Sequence, residues 1–273
     1  MLRMMPLYVK NMASTVVPAV LNIQGIRLLN LAMKEVIWAI ESALFARQPT
    51  RISFVNDGCI NIAAHDTDYQ AALADTDWLL IDGVGMRIAG KLLSQPVREN
   101  FNCTDLFPHL CAALAGQQQR LFLYGARPGV AAAVAIWARA RHPNLKIVGT
   151  QHGYHRASEE AQIVADICAS DADVVLVALG APRQEAWIAR NMRDTAVTLA
   201  IGVGDLFDHC SGRIAQTPGW MRRCGLGWAH QLAKAPRRTM RRYLVGKPMF
   251  LGRITLGWLR QRNRPRPASH KTQ

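Results

Sequence analysis

Residues 174–191 read VVLVALGAPRQEAWIARN, and this stretch decides the fold. The run 174–178 is short, apolar and mostly β-branched, as expected of a strand inside a parallel sheet. Gly180-Ala181-Pro182 interrupts it, and over 184–193 apolar residues return at helical spacing. A strand, a glycine-containing loop and a helix make half of a βαβ unit. The same alternation recurs on either side. Strands are predicted over 52–55, 78–81, 120–124, 146–150 and 197–201, and helices over 31–45, 68–74, 105–115, 130–141 and 159–170. The pattern predicts an α/β, Rossmann-like, mostly parallel sheet with helices on both faces.

After Asp208 the strand pattern stops. Residues 1–208 hold 18 Lys and Arg against 19 Asp and Glu, whereas residues 209–273 hold 15 against none, so the net charge of +14 is carried by the last quarter. This divides the chain into an N-terminal tail (1–20), a catalytic α/β domain (21–212) and a C-terminal basic helical appendage (213–273) that faces an anionic partner. The length suffices for a full core. Six scattered cysteines without a C-x-x-C pair suggest neither a zinc site nor a disulfide framework. Residues 1–20 lack the apolar core of a secretion signal, and no apolar run reaches the ~18 residues of a membrane-spanning helix.

In open parallel sheets, ligands bind beyond the carboxyl ends of the strands. Four strand-end loops are therefore candidate sites. Asp82-Gly83-Val84-Gly85 places a carboxylate where a general base is useful, although Asp82 could equally cap the next helix. Gly125-Ala126-Arg127-Pro128-Gly129 offers backbone N–H groups to a phosphate, or is an ordinary turn. In Gly180-Ala181-Pro182-Arg183-Gln184-Glu185 the last two residues enter a helix, where an amide reaches a ligand and a carboxylate suits the dipole. In Gly202-Val203-Gly204-Asp205-Leu206-Phe207-Asp208, Asp208 is placed to accept from a ribose diol.

Three D-x-D strings, at 66–68, 75–77 and 171–173, spell the cation-holding motif of metal-dependent sugar transferases, but they precede strands or start helices and are read as caps and turns. His152 and His155 lack a third ligand, so no metal site is expected.

Taken in order, Asp82-Gly83, Thr104-Asp105-Leu106, Gly125 to Gly129, Gly153-Tyr154, Gly180 to Glu185 and Gly202 to Asp208 resemble the WecG/TagA/CpsF glycosyltransferase family, over about 21–250. The most specific match is Gly180-Ala181-Pro182-Arg183-Gln184-Glu185, similar to the family's G-x-P-(K/R)-Q-E. The resemblance implies inverting, metal-independent transfer from a UDP-sugar to a sugar on a polyprenyl diphosphate. It also implies peripheral attachment at the cytoplasmic face of a bacterial membrane through the basic appendage, with no cofactor. It further implies that Asp82 is the general base, that Tyr154, Gln184 and Asp208 contact the nucleotide sugar, and that Arg238, Arg241 and Arg242 meet a diphosphate. Asn56, Thr104, Asp105, Gly125 and Glu185 complete the expected substrate-binding set. Phe54-Val55-Asn56 stands where members have T-x-N, and Gln216, Gly227 and Gln231 replace family-typical residues. The string Thr104-Asp105-Leu106-Phe107-Pro108 looks like members of xanthan-type exopolysaccharide pathways, which transfer glucose rather than N-acetylmannosamine.

Leu251, Ile254, Trp258 and Leu259 recur at helical spacing, either as an interfacial membrane helix or as a stripe packed on the body or on a second copy in a homo-oligomer. Two other classes stay open. A nicotinamide-dependent oxidoreductase would show G-x-G-x-x-G after its first strand, and none is visible around 22–30. A nucleic-acid-binding protein would explain the basic tail but not the four loops, so no nucleic acid is expected as a partner.

Overall fold

The computed structural model describes residues 20–99, 101–213 and 246–262. One eight-stranded sheet organises them: β1 (Val20–Ile23), β2 (Ile26–Leu29), β3 (Thr50–Val55), β4 (Trp78–Ile81), β5 (Arg120–Gly125), β6 (Lys146–Gln151), β7 (Val174–Ala178) and β8 (Leu199–Gly202). The spatial order is β1-β2-β4-β3-β8-β7-β5-β6. Only the β1–β2 pairing is antiparallel; the rest of the sheet is parallel. The helices are α1 (Met33–Phe45), α2 (Asp57–Ala63), α3 (Thr67–Ala74), α4 (Gly83–Leu92), α5 (Cys103–Gly116), α6 (Val130–Arg141), α7 (Glu160–Ala169), α8 (Arg183–Asn191), α9 (Leu206–Cys210) and α10 (Lys247–Arg262).

Strand alternation sends neighbouring residues to opposite faces, and both faces are covered. Ile52, Phe54, Leu121, Leu123, Val174 and Leu176 pack against α1, α5, α6 and α9. On the other face, Val55, Leu79 and Ile81 pack against α2, α3, α4 and α10, while Phe122, Tyr124, Val175 and Val177 meet α7 and α8. This is the doubly covered α/β arrangement that the alternating pattern predicts.

The β1–β2 hairpin was not predicted: its strands have four residues each, and Gln24 and Gly25 turn it with φ of +52° and +86°. α2 and α4 are also additions, because Gly58, Gly83 and Gly85 dilute the helical period near their starts. The C-terminal stripe divides. Phe250 and Ile254 are fully or almost fully buried, and with half-buried Leu251 they join the core beneath α2 and α4. The face through Leu251 and Ile254 thus covers the body rather than a lipid surface. Met249, Leu256 and Leu259 of the same helix remain exposed. No helix among the described residues is long and apolar enough to cross a membrane. The tail 1–19 and most of the appendage, with Arg238, Arg241, Arg242, Gln216, Gly227 and Gln231, lie outside the described residues.

Candidate active site

Strand register brings two side chains together. Val55 pairs with Ile81 at the ends of β3 and β4, and the ladder continues one step as the Asp82 N–H donates to the Val55 carbonyl at 2.9 Å. The next residues, Asn56 and Asp82, therefore stand side by side at the carboxyl edge. Asn56 uses its amide in two directions. Its oxygen caps α2 by accepting from the Gly58 and Cys59 N–H groups at 2.9 and 3.2 Å, which turns its NH2 toward Asp82 Oδ2 at 3.5 Å. Asp82 precedes α4 but makes no side-chain hydrogen bond to it, so its carboxylate is not the helix cap that the sequence left open.

The pair lines a cleft of about 260 Å³, closed by Phe54, Asn102, Cys103, Thr104, Ala181 and Gln184 and by the loop from Gly202 to Leu206. Gln184 holds the floor. Buried to 3 % exposure, it accepts from the N–H groups of Gly180 and Gly204 at 3.2 and 2.9 Å, tying the loop after β7 to the loop after β8. Its NH2 donates to Glu185 Oε1 at 2.9 Å. Glu185 lies beneath this floor at 2 % exposure, where burial pushes its carboxyl up, offset in part by the Gln184 and Ser53 hydrogen bonds. Gly202 makes the crossing possible: a Cβ there would stand 2.9 Å from both Gln184 Nε2 and Ser53 Oγ. Burial, followed by the nearby Asp82 charge, pushes the Cys103 thiol well above its ordinary range, and burial raises Cys59 to about 11, so both remain protonated walls.

Of the sequence-predicted residues, Asn56, Asp82, Thr104 and Gln184 meet in this cleft. The other described ones lie outside it. Asp105 closes a capping box with Asn102 at the start of α5. Gly125 ends β5 against the Ala178 backbone, and Tyr154 is 64 % exposed beside Arg127. Asp208 sits on α9 with Arg213 Nε at 3.6 Å. Four lining residues had no individual signal in the sequence: Asn102, Asp57, His209 and Lys247, the last arriving from α10. A larger groove of about 780 Å³ runs beneath the β1–β2 hairpin, lined by residues of the hairpin, α2, α3 and the start of β4, and it shares no lining residue with this cleft.

Of the three D-x-D strings, the one at 66–68 takes the capping role read for it, and the other two add ion pairs that the sequence reading did not include. Asp66 caps α3 through the Tyr69 N–H at 2.8 Å. Asp75 and Asp77 hold Arg51, and Asp171 and Asp173 hold Arg120, all at the amino edge. Among the described residues, no three His, Cys, Asp or Glu side chains are grouped to hold a metal ion.

A carboxylate and an amide at strand ends, above a floor of ordered loop N–H groups, can activate a hydroxyl beside a polar ligand. The comparisons with known proteins identify the family. The family model described as "Glycosyl transferase WecG/TagA/CpsF family" matches residues 21–264. An N-acetylglucosaminyldiphosphoundecaprenol N-acetyl-beta-D-mannosaminyltransferase of Bacillus subtilis (strain 168) is 31% identical over 196 residues, covering 72% of this chain and 76% of that protein. The protein of the same name from Bacillus spizizenii is 31% identical over 185 residues, covering 68% and 71%. With a mostly parallel α/β sheet, a cleft at its carboxyl edge and a family match over nearly the whole chain, this protein belongs to the WecG/TagA/CpsF family of glycosyl transferases.

Proposed function

We propose that this glycosyl transferase moves a sugar from a UDP-sugar to a sugar carried on a polyprenyl diphosphate, with inversion and without a metal, at the inner face of a bacterial membrane. The observation that carries the reading is the Asn56–Asp82 pair in the cleft, a carboxylate oriented by an amide and not used as a helix cap. Asp82 takes the proton of the acceptor hydroxyl as its oxygen attacks the anomeric carbon. The bond from that carbon to the diphosphate oxygen breaks on the opposite face, and UDP leaves with the electron pair. Since the diphosphate is already a good leaving group, the enzyme's share is alignment, proton removal and charge compensation. Arg238, Arg241 and Arg242 are proposed counter-charges, because guanidinium forks match diphosphate oxygens.

The relatives' names support an N-acetylmannosamine donor and an N-acetylglucosaminyl diphospholipid acceptor. The 104–108 string and Phe54, which presents an aromatic wall where the family has a threonine, favour testing glucose and an exopolysaccharide role beside it. Peripheral membrane attachment is supported by a stripe on α4. Val84, Ile88 and Leu92, spaced four apart, are 43, 41 and 47 % exposed, next to exposed Arg87 and Lys91. Val84 also lines the cleft, so the stripe begins at its mouth, and α10 packs alongside with Met249, Leu256 and Leu259 exposed. Apolar side chains with flanking cations suit an anionic lipid surface, where each basic residue contributes about 1 kcal/mol.

The deciding assay incubates the full chain with polyprenyl-diphosphate sugars and a panel of UDP-sugars including N-acetylmannosamine and glucose, with and without EDTA. Transfer with inverted anomeric configuration, unchanged by EDTA, is expected. Failure with every UDP-sugar, or loss in EDTA restored by manganese, overturns the corresponding part. Thermal stabilisation by UDP, and not by NAD or single-stranded DNA, separates this reading from an oxidoreductase or a nucleic-acid-binding protein.

A further inference from the structure

The described part of the cleft carries charges of both signs. Asp57, Asp82 and Asp205 line it, and Lys247 is the one Lys or Arg among its described lining residues. A diphosphate entering beside these carboxylates gains from the ammonium that stands among them. We propose that Lys247 is a diphosphate-binding residue of the active site and that Asp57 is the positioning residue that holds it there. The proposal rests on the reading above, in which the substrate is an activated diphosphate.

Three features place the ammonium. Lys247 is the first residue of α10, which is seated on the body by Phe250 and Ile254, at 0 and 3 % exposure. The backbone beside it is pinned, because Asn61 Nδ2 donates to the Gly246 carbonyl at 2.8 Å. Its Nζ then lies 3.3 Å from Asp57 Oδ2. Asp57 is itself only 4 % exposed, in the first turn of α2, where the helix dipole favours a carboxylate. It fits there because residue 85 is glycine: a Cβ at Gly85 would approach Asp57 Cβ and Cγ to 3.1 Å. A buried carboxylate thus fixes a cation that arrives from a segment far away in sequence. An ammonium has three N–H donors and can hold a carboxylate and an oxyanion together. The C-terminal helix would then complete the site as well as the fold.

A purely structural latch and a phosphate ligand make different predictions for ligands that differ only in phosphate. Calorimetry on the full chain compares UDP, uridine and inorganic pyrophosphate for Lys247→Gln and Lys247→Arg, with acceptor KM measured in parallel. Lys247→Gln is expected to weaken UDP and pyrophosphate by about tenfold or more, the scale of one charge-assisted hydrogen bond, while uridine binding stays at the wild-type level. Lys247→Arg should restore most of the loss. Asp57→Asn, which loosens the lysine without removing it, should lose less UDP affinity than Lys247→Gln. If UDP affinity holds but the acceptor's KM rises about tenfold, the lipid-linked diphosphate is the one bound, and the proposal stands with that source. If UDP, pyrophosphate and acceptor KM are all unchanged in a folded Lys247→Gln, or if uridine falls in parallel with UDP, the assignment is overturned. Should Lys247→Gln not fold, Asp57→Asn combined with Lys247→Gln leaves no buried unpaired carboxylate and carries the same comparison. A wild-type chain that binds pyrophosphate but not UDP would count against the UDP-sugar reading alone.

Discussion

The two edges of the sheet are both rich in aspartate, and they treat it in opposite ways. At the amino edge, Asp77 and Asp173 accept from the backbone N–H groups of Arg51 and Arg120 at 2.9 and 2.8 Å, and the same arginines' side chains close over them and over Asp75 and Asp171. Those carboxylates stitch neighbouring strand starts together. At the carboxyl edge, Asp82 and Asp205 border a cleft, and Asp57 is buried in its wall against a lysine from a distant helix. The residue type is the same; the direction of the strands decides its work. A D-x-D string before a strand meets arginines of the adjacent strands, whereas a lone aspartate after a strand meets loops that leave room for a ligand.

The largest expected effect tests that contrast directly. Asp82→Asn keeps the Asn56 neighbour and the shape of the cleft but removes the base. Transfer should fall about 10²-fold or more, the usual scale for a positioned general base, with melting temperature and UDP affinity retained. Asp77→Asn at the other edge should leave the transfer rate unchanged. Turnover near wild type in a folded Asp82→Asn variant would erase the functional difference between the edges.

The next effect sharpens what the carboxyl edge requires. Gly202→Ala puts a methyl 2.9 Å from Gln184 Nε2 and Ser53 Oγ, forcing apart the crossing that ties two loops together. It should cost about 1–3 kcal/mol of stability, as overpacking does, and lower transfer as well. Gly116→Ala, with nothing within 4 Å of the new methyl, is the control and should leave both at or above wild type. Denaturant titration and initial rates on the pair check both statements.

The same contrast explains what was legible beforehand. β4 and β7 were read to the residue, because each is an uninterrupted apolar run that begins directly after an aspartate. Asp82 and Gln184 were legible because they lie in loops that follow strands, which strand direction assigns to the ligand edge, whereas Asn56 entered only through the family resemblance. The β1–β2 hairpin was not, since Asn22 and Arg27 break the apolar pattern of two four-residue strands. Lys247 could not be found from its neighbours in sequence. Its place depends on Phe250 and Ile254 seating α10 against α2 and α4, a tertiary match with no local signature. Asp105 and Glu185 show the converse limit: both fall in quoted motifs, yet one closes a capping box and the other lies under the cleft floor.

At the amino edge the expected effects are on stability alone. Arg51→Met removes the partner of Asp75 and Asp77, whose side chains are 40 and 39 % exposed. Partly exposed ion pairs contribute at most about 1 kcal/mol, so the melting temperature should drop by no more than ~2–4 °C. Transfer at saturating substrate should be unaffected. A loss of activity larger than the loss of stability would mean that this edge communicates with the cleft.

The smallest effect is a pH dependence confined to the same edge. Burial by itself would raise the Asp173 carboxyl, but hydrogen bonds from the Arg120 side chain and backbone and the guanidinium charge outweigh it and hold the group below its ordinary range. A carboxyl whose folded value lies below its unfolded value of about 3.9 contributes stability that is complete above that value and is lost as pH falls through the folded one. Wild-type melting temperature should therefore fall below about pH 4 more steeply than that of Asp173→Asn. The variant should be the less stable of the two at pH 7, by less than Arg51→Met, and the two curves should converge in acid. Curves that stay parallel down to about pH 2 would show that Asp173 keeps the same proton affinity on unfolding. In that case any stability added by the clamp on Arg120 would not depend on the ionisation of Asp173.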